Sequence, residues 1–124
     1  MAFRMTEQSY LVLLALAQEP RHGYGVAQAV KELSDGTVRL GAGSLYGILD
    51  RIVAEGYAEA SGEQIVDGRL RRYYRLTDAG GDALAAETAR LQAIARRAQV
   101  VLRARPAGQL GFAGFVLRAA AGSV

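Results

Sequence analysis

The chain has 124 residues, 51% of them hydrophobic, so it is long and apolar enough to form the core of one domain. Its net charge is +3, and 14 of its 15 basic residues are arginines, a composition that permits a polyanionic partner without establishing one. It has no cysteine and a single histidine, His22, which excludes disulfides, cysteine nucleophiles and thiolate zinc sites.

Neither a signal peptide nor a membrane-spanning segment is predicted. Residues 1–8 lack a basic stretch that leads into a cleavable apolar run, and the apolar run from Tyr10 to Ala17 is too short to cross a bilayer. We therefore expect a cytoplasmic protein with no membrane partner.

The first two predicted elements are helices. Residues 7–18 are almost continuously apolar and rich in Leu and Ala, which favours a helix that is buried on most sides. Pro20 ends this helix, and the segment 20–23 is predicted to be a connection. A second helix is expected over 24–34, and it is closed by the turn signal Ser34-Asp35-Gly36.

A third helix is predicted over 42–55. A core-facing stripe at helical spacing is formed by Leu45, Ile48, Leu49, Ile52 and Val53. The residues left on the outward face are Ser44, Tyr46, Gly47, Asp50, Arg51 and Ala54.

A β-hairpin is predicted next, with strands over 57–66 and 69–76 around the dipeptide Asp67-Gly68, which readily takes the positive φ angles of a two-residue turn. Alternation along the second strand places Leu70, Arg72, Tyr74 and Leu76 on one face. The opposite face, expected to meet solvent or DNA, carries Arg69, Arg71, Tyr73 and Arg75.

The last predicted helix runs from Asp78 to about Arg103 and is longer than a small domain needs for its own core. Thr77 is expected to cap it. Apolar residues recur along one side at a spacing suited to a second helix, which predicts dimerisation. The predicted dimerisation residues are Leu84, Leu91, Ile94, Ala98, Val101 and Leu102.

The order of three helices and a hairpin is that of a winged helix-turn-helix, in which the third helix enters the major groove of DNA. The predicted fold class is therefore mainly α with a small β-hairpin, a winged helix-turn-helix plus a long C-terminal dimerisation helix. The expected domains are a DNA-binding domain over 1–77, a dimerisation helix over 78–105 and an apolar tail over 106–124, which is either a short helix or disordered.

The third helix and a basic wing over 64–72 supply the candidate DNA-binding residues. Gly47 allows a close approach, Tyr46 and Arg51 can contact phosphate or base edges, and Asp50 can accept from a cytosine amine. The full predicted set is Gly43, Ser44, Tyr46, Gly47, Asp50, Arg51, Arg69, Arg71, Tyr73 and Arg75.

Some polar and aromatic residues, inside and outside this set, also have a purely structural interpretation. Arg69, Arg71 and Arg75 could form a solvated face that pairs with Glu59 and Glu63 on the neighbouring strand, whereas Arg72 lies on the opposite face. His22 is interpreted as a helix cap or packing residue, and Tyr24 and Tyr74 are interpreted as core aromatics.

Three blocks of sequence, in the same order, resemble the PadR family of bacterial transcriptional regulators, of the short type with a single C-terminal dimerisation helix. The matching residues are Pro20-Arg21-His22-Gly23-Tyr24-Gly25, then Gly43-Ser44-Leu45-Tyr46-Gly47 with Arg51 and Glu55-Gly56, and then residues 68–77 with Gly80. The resemblance implies a homodimer that binds a palindromic double-stranded operator and represses transcription until an effector alters the spacing of its two reading helices.

The chain also departs from the family pattern. Gly41-Ala42 replaces the usual Ser-Pro pair at the start of the third helix, so a weaker cap is expected there. The chain has no tryptophan, on which some relatives stack flat drugs. An apolar or aromatic effector is instead predicted to bind near Tyr10, Leu91, Ile94 and Ala98.

Two other classes of function are weighed against DNA binding. A winged helix that binds only protein is the main alternative, because this fold also serves as a contact scaffold. An enzyme is not expected, since the sequence shows no catalytic pair, metal cluster or phosphate loop, and no cofactor is predicted.

Overall fold

A computed structural model of the chain describes residues 3–106, and this part of the chain is mainly α-helical with one small sheet, as the sequence predicts. Residues 107–124, which make up most of the predicted apolar tail, lie outside the described residues. The elements in chain order are α1 (Glu7–Gln18), β1 (Arg21–His22), α2 (Gly23–Leu33), α3 (Ala42–Ala54), β2 (Ala58–Val66), β3 (Arg69–Leu76) and α4 (Asp78–Ala104).

The first helix, α1, is closed by side chains at both ends. At its start the Thr6 hydroxyl accepts a hydrogen bond from the Ser9 amide at 3.1 Å. At its end Arg21 folds back, and its Nε donates to the carbonyl of Ala15 at 3.0 Å while its Nη2 donates to Gln18 at 2.7 Å. A cation is favourable at this negative end of a helix dipole, so Arg21 has a structural role.

Helix α2 is capped by His22, the residue that precedes its first residue, as the sequence predicts. The imidazole Nδ1 accepts from the Gly25 amide at 3.3 Å, which requires a ring that is unprotonated at this nitrogen. The prediction that Tyr24 is a core aromatic is wrong, because its side chain is 59% exposed on the first turn of α2. At the other end, Asp35 and Gly36 take positive φ angles and turn the chain away.

The sheet has three antiparallel strands in the order β1-β3-β2, and the predicted hairpin forms its larger part. Asp67 and Gly68 have φ angles of 52° and 75°, as a two-residue turn of the I′ type requires. The segment 20–23, predicted to be only a connection, contains β1, whose residues Arg21 and His22 pair with Tyr74 and Tyr73 of β3.

The core lies between α1, α2, α3 and the inner face of β3. Four of the five predicted stripe residues of α3 are buried, whereas Val53 is 38% exposed, so the prediction that it faces the core is wrong. Val53 lies at the margin of the stripe, near the end of the helix. Tyr74 is buried in this core at 8% exposure, as predicted.

The start of α4 is held tightly against the rest of the domain. The Thr77 hydroxyl accepts from the Gly80 amide at 3.0 Å, which confirms the predicted cap, and donates to the carbonyl of Gly56 at 2.6 Å. A methyl group on Gly80 would overlap the carbonyl oxygen of Tyr57 and lie 2.8 Å from Leu76 Cδ1. Only glycine fits this close approach of a helix to the backbone.

The chain divides into two compact units, one ending at Thr88 and one beginning at Ala89, so the boundary falls within α4. All the contacts described above belong to the first unit. Within residues 3–106, no helix is long and apolar enough to cross a membrane.

Candidate nucleic-acid interface

The outward face of α3 is formed by six of the predicted DNA-binding residues, and we call it the reading face. Gly47 is half-buried and the other five are exposed. The helix begins after Gly41 with no side-chain cap, in line with the weaker cap expected from Gly41-Ala42. The reading face consists of Gly43, Ser44, Tyr46, Gly47, Asp50 and Arg51.

Two glycines of the reading face are not required by the fold. A methyl group on Gly43 would meet nothing within 4 Å, and one on Gly47 would meet only Arg51 Nη1 at 3.6 Å, an ordinary contact. Glycine inside a helix costs about 0.5–1 kcal/mol relative to alanine. Packing within this domain does not explain why glycine is used at these positions. A binding partner whose surface must come close to the helix backbone would explain it.

Tyr46 has a contact that sequence reasoning missed. Its phenol lies against the start of α2, where a methyl group on Gly23 would overlap the hydroxyl oxygen and come within 2.8 Å of Cζ. The side chain is still 45% exposed. Tyr46 therefore contacts the start of α2 from α3 while much of its surface stays exposed.

The arginines of β3 differ in their surroundings. Arg75 is engaged by Glu59, with its Nε donating to the carboxylate at 2.7 Å, and Arg72 lies 3.9 Å from the carboxylate of Glu63. These are exposed pairs, which contribute little to stability but reduce the free positive charge of the strand. Of the expected pairings, only that of Arg75 with Glu59 is found, because the register places Glu63 opposite Arg72.

Arg69 and Arg71 are outside these ion pairs. Arg69 is exposed beside the turn of the hairpin. Arg71 is half-buried, and its Nε is buried without a hydrogen-bond partner in the described part of the chain. These two residues are therefore the cations of the wing that remain available to a partner.

Tyr73 and His22 form an aromatic pair beside these arginines. Their rings meet edge to face with centroids 5.2 Å apart, so Tyr73, predicted to contact DNA, is half-buried against its own domain. Burial, and secondarily the positive charge of Arg71, lowers the pKa of His22 below its usual 6.5. The neutral ring is the form that caps α2.

The predicted dimerisation residues fall into two groups. Leu84 is partly buried and packs against the core of the first unit. Leu91, Ile94, Val101 and Leu102, in the second unit, are between 40% and 67% exposed, and Ala98 is exposed as well.

Tyr10, the predicted effector residue of α1, is engaged within the first unit. Its hydroxyl lies 2.6 Å from that of Thr88, which itself donates to the carbonyl of Leu84 at 2.8 Å. Because the single Thr88 proton is used in that bond, the Tyr10 hydroxyl is the donor to Thr88. Tyr10 thus ties α1 to the part of α4 that belongs to the same unit.

Comparison with known proteins supplies the family. The sequence model of the transcriptional regulator PadR-like family matches residues 12–86 of the chain. The chain is 39% identical over 85 residues to the transcriptional regulator Rv3488 of Mycobacterium tuberculosis. The aligned region covers 68% of this chain and 76% of that protein.

Solved structures agree in fold. The chain is similar to smu.1704 from Streptococcus mutans, with a TM-score of 0.68 and 25% identity over 86% of this chain and 97% of that one. It is also similar to Bacillus subtilis PadR in complex with operator DNA, with a TM-score of 0.57 and 22% identity over 64% of this chain and 45% of that one. The matched family is one of transcriptional regulators, not enzymes, as the sequence led us to expect. The chain therefore belongs to the PadR-like family of transcriptional regulators.

Proposed function

We propose that the protein is a homodimeric transcriptional repressor that binds a palindromic operator in double-stranded DNA and is released by a small apolar or aromatic effector. The observation that carries DNA binding is the reading face, where Gly43 and Gly47 leave the helix backbone open without any need from the fold. A helix with such a face fits the major groove, where backbone approach brings side chains to base edges.

The wing supports this assignment. Arg71 of β3 and the start of α3 line one cavity, so a cation without an ion pair lies directly beside the reading face. In the winged-helix arrangement the wing lies beside the groove that the third helix enters, so we expect Arg71 to face the DNA backbone that flanks this groove. Bacillus subtilis PadR, whose fold is similar, has been solved in complex with operator DNA, which supports DNA binding as the proposed function.

Dimerisation is proposed from the apolar side of α4 in the second unit. Large apolar side chains exposed together, such as Leu91, Ile94 and Val101, are usually covered by a partner in a stable protein. Their heptad spacing suits a second copy of the same helix, and two copies related by a two-fold axis would read a palindrome. We accordingly assign residues 1–77 to DNA binding and 78–105 to dimerisation.

The effector is proposed to bind near Tyr10, Leu91, Ile94 and Ala98 of the dimer. Tyr10 is a reasonable sensor because its hydroxyl already bonds Thr88, so a ligand that displaces this bond would disturb the link between α1 and α4. Thermal-shift screening with apolar aromatic compounds tests the location. A compound that stabilises the wild-type protein and Tyr10→Ala equally would argue against it.

Binding of DNA from the protein's own promoter region, measured by fluorescence anisotropy at several salt concentrations, tests the main proposal. We expect sequence-selective binding whose affinity falls steeply with salt, because phosphate contacts release counterions. Absence of both selectivity and salt dependence would refute it. Transcription of a reporter behind the same promoter should fall when the protein is present, and a rise would identify an activator. Such a regulator acts on the chromosome, so a cytoplasmic location is part of the proposal.

A protein-binding winged helix is a second candidate, which the pairing of Arg72 and Arg75 with glutamates favours because it makes the strand less basic. The two functions respond differently to loss of Arg69 and Arg71. Replacing each by alanine should flatten the salt slope of DNA binding by about one unit per lost phosphate contact. A protein partner that does not use these charges would bind the variants as it binds the wild type.

A further inference from the structure

The cavity between α2, α3 and β3 has a composition that points to an anion. Its volume is about 220 Å³, and its lining is apolar apart from two tyrosines and one arginine. No carboxylate contributes to this lining. The lining residues are Tyr24, Ala27, Leu40, Ala42, Leu45, Tyr46 and Arg71.

Arg71 is the one cation that lines this cavity, and its guanidinium has no partner among the described residues. Its Nε is the buried side-chain polar atom that lacks a hydrogen-bond partner within residues 3–106. A buried donor without a partner is costly, and more so when it carries charge. The neighbouring arginines Arg72 and Arg75 have carboxylates close by, whereas Arg71 takes part in none of the ion pairs found in the described residues.

Other groups around the cavity are suited to the same ligand. The Tyr24 hydroxyl accepts from Gln28 at 2.8 Å, which leaves its own proton free to donate. Ala42 lies at the start of α3, where the helix dipole is positive and no side chain caps the free amides. His22, which lies near Arg71, offers no compensating negative charge.

We propose that this cavity binds one phosphate of the DNA backbone, with Arg71 as its main donor, and so fixes the reading face relative to the wing. The proposal rests on the proposed DNA-binding function and deepens it. Arg71 becomes a positioning residue, since the phosphate held at the junction of α3 and β3 sets the depth of the helix in the groove. Phosphate contacts of this kind fix register without reading sequence.

Ethylation interference on the promoter duplex, with wild-type protein and Arg71→Gln, tests the proposal. In the wild type, ethylation of one phosphate per half-site should abolish binding, and with Arg71→Gln that phosphate should no longer matter. The affinity of Arg71→Gln should fall about tenfold or more, and its salt slope should decrease by about one unit. Arg71→Lys should keep the salt slope but lose part of the affinity, because lysine lacks the planar fork.

Arg72→Gln is the matched control, since it removes the neighbouring arginine, which is exposed and paired with Glu63. It should change affinity by less than about threefold. Thermal melts without DNA separate a structural role from a phosphate-binding one. Arg71→Gln should melt at the same temperature as the wild type or higher, because it removes a buried donor without a partner.

Each outcome has a definite meaning. If the wild type binds no DNA, the proposed function fails. If the wild type binds DNA but Arg71→Gln and Arg72→Gln behave alike, only the phosphate site is overturned. If Arg71→Gln instead melts at a clearly lower temperature, Arg71 is structural and the site is again overturned. Inorganic phosphate that raises the melting temperature of the wild type but not of Arg71→Gln, with the two variants alike on DNA, would identify a free-anion site.

Discussion

Replacing Gly47 by alanine should make the protein more stable and a weaker DNA binder. Gly47 is the sixth of 13 residues in α3, and the added methyl group would lie 3.6 Å from Arg51 Nη1, without a clash. Alanine in a helix interior is favoured over glycine by about 1 kcal/mol. For a domain of this size, the melting temperature should rise by about 4–8 °C.

The effect on DNA binding should have the opposite sign. The methyl group would lie on the reading face, between the helix backbone and the DNA groove. It would hold the helix farther from the DNA, so the hydrogen bonds from neighbouring side chains to the DNA would be longer. We expect a loss of affinity of about tenfold or more, which corresponds to about 1.4 kcal/mol.

Thermal melts and anisotropy titrations at one salt concentration measure the two effects. Gly81→Ala is the matched control, because its methyl group would also make an ordinary contact, 3.8 Å from Leu76 Cδ2, but on α4. Gly81→Ala should stabilise the fold and leave DNA affinity unchanged. If Gly47→Ala binds DNA as tightly as the wild type, the reading face does not enter a groove and Gly47 is not needed for a close approach to DNA.

Gly80→Ala should lower the free energy of unfolding in urea by about 3 kcal/mol or more, because its methyl group would overlap the Tyr57 carbonyl. Folding stability should decrease as the pH falls below 6.5, since burial and then Arg71 lower the pKa of His22 in the folded state and the unfolded state takes up the proton first. Leu91→Glu with Ile94→Glu should shift the protein to a monomer in sedimentation and weaken operator binding.

Controls accompany these three predictions. Gly81→Ala isolates the overlap at Gly80, and equal stability of the two variants would contradict it. His22→Asn keeps a good helix cap without a titrating ring, so a pH profile like that of the wild type would exclude His22 as the cause. Gln99→Glu adds a charge on another side of α4, and it should leave the dimer intact.

Much of the fold depends on interactions between residues close in sequence, and these were predictable. The spacing of Leu45, Ile48 and Leu49 predicts α3, because helical periodicity repeats within one or two turns. Asp67-Gly68 predicts the hairpin turn, and Thr77 predicts the cap of α4, because turns and caps involve only a few neighbouring residues. The cap that His22 forms on α2 was predictable for the same reason, because it involves residues only three positions apart.

For the candidate site, the sequence predicted which face of α3 points outward but not which side chains contact one another. Periodicity placed Gly47 on the outward side of α3, and from the family resemblance we expect that side to contact DNA. Which arginine has a carboxylate nearby depended on strand register, which places Glu63 opposite Arg72 and Gln64 opposite Arg71. A β-bulge between Ala60 and Gly62 contributes to that register, and it has no sequence signal as clear as the turn.

The sequence by itself therefore determined the order and type of the main elements, the hairpin turn, the caps and the outward face of α3, all of which follow from short-range periodicity and turn chemistry. Only the tertiary structure decided that Arg21 and His22 form a strand with β3, that Val53 is exposed, and that Arg71 has a buried donor without a partner. These features depend on segments separated by tens of residues in the chain. Local patterns carry no information about which of several similar side chains such packing will bury.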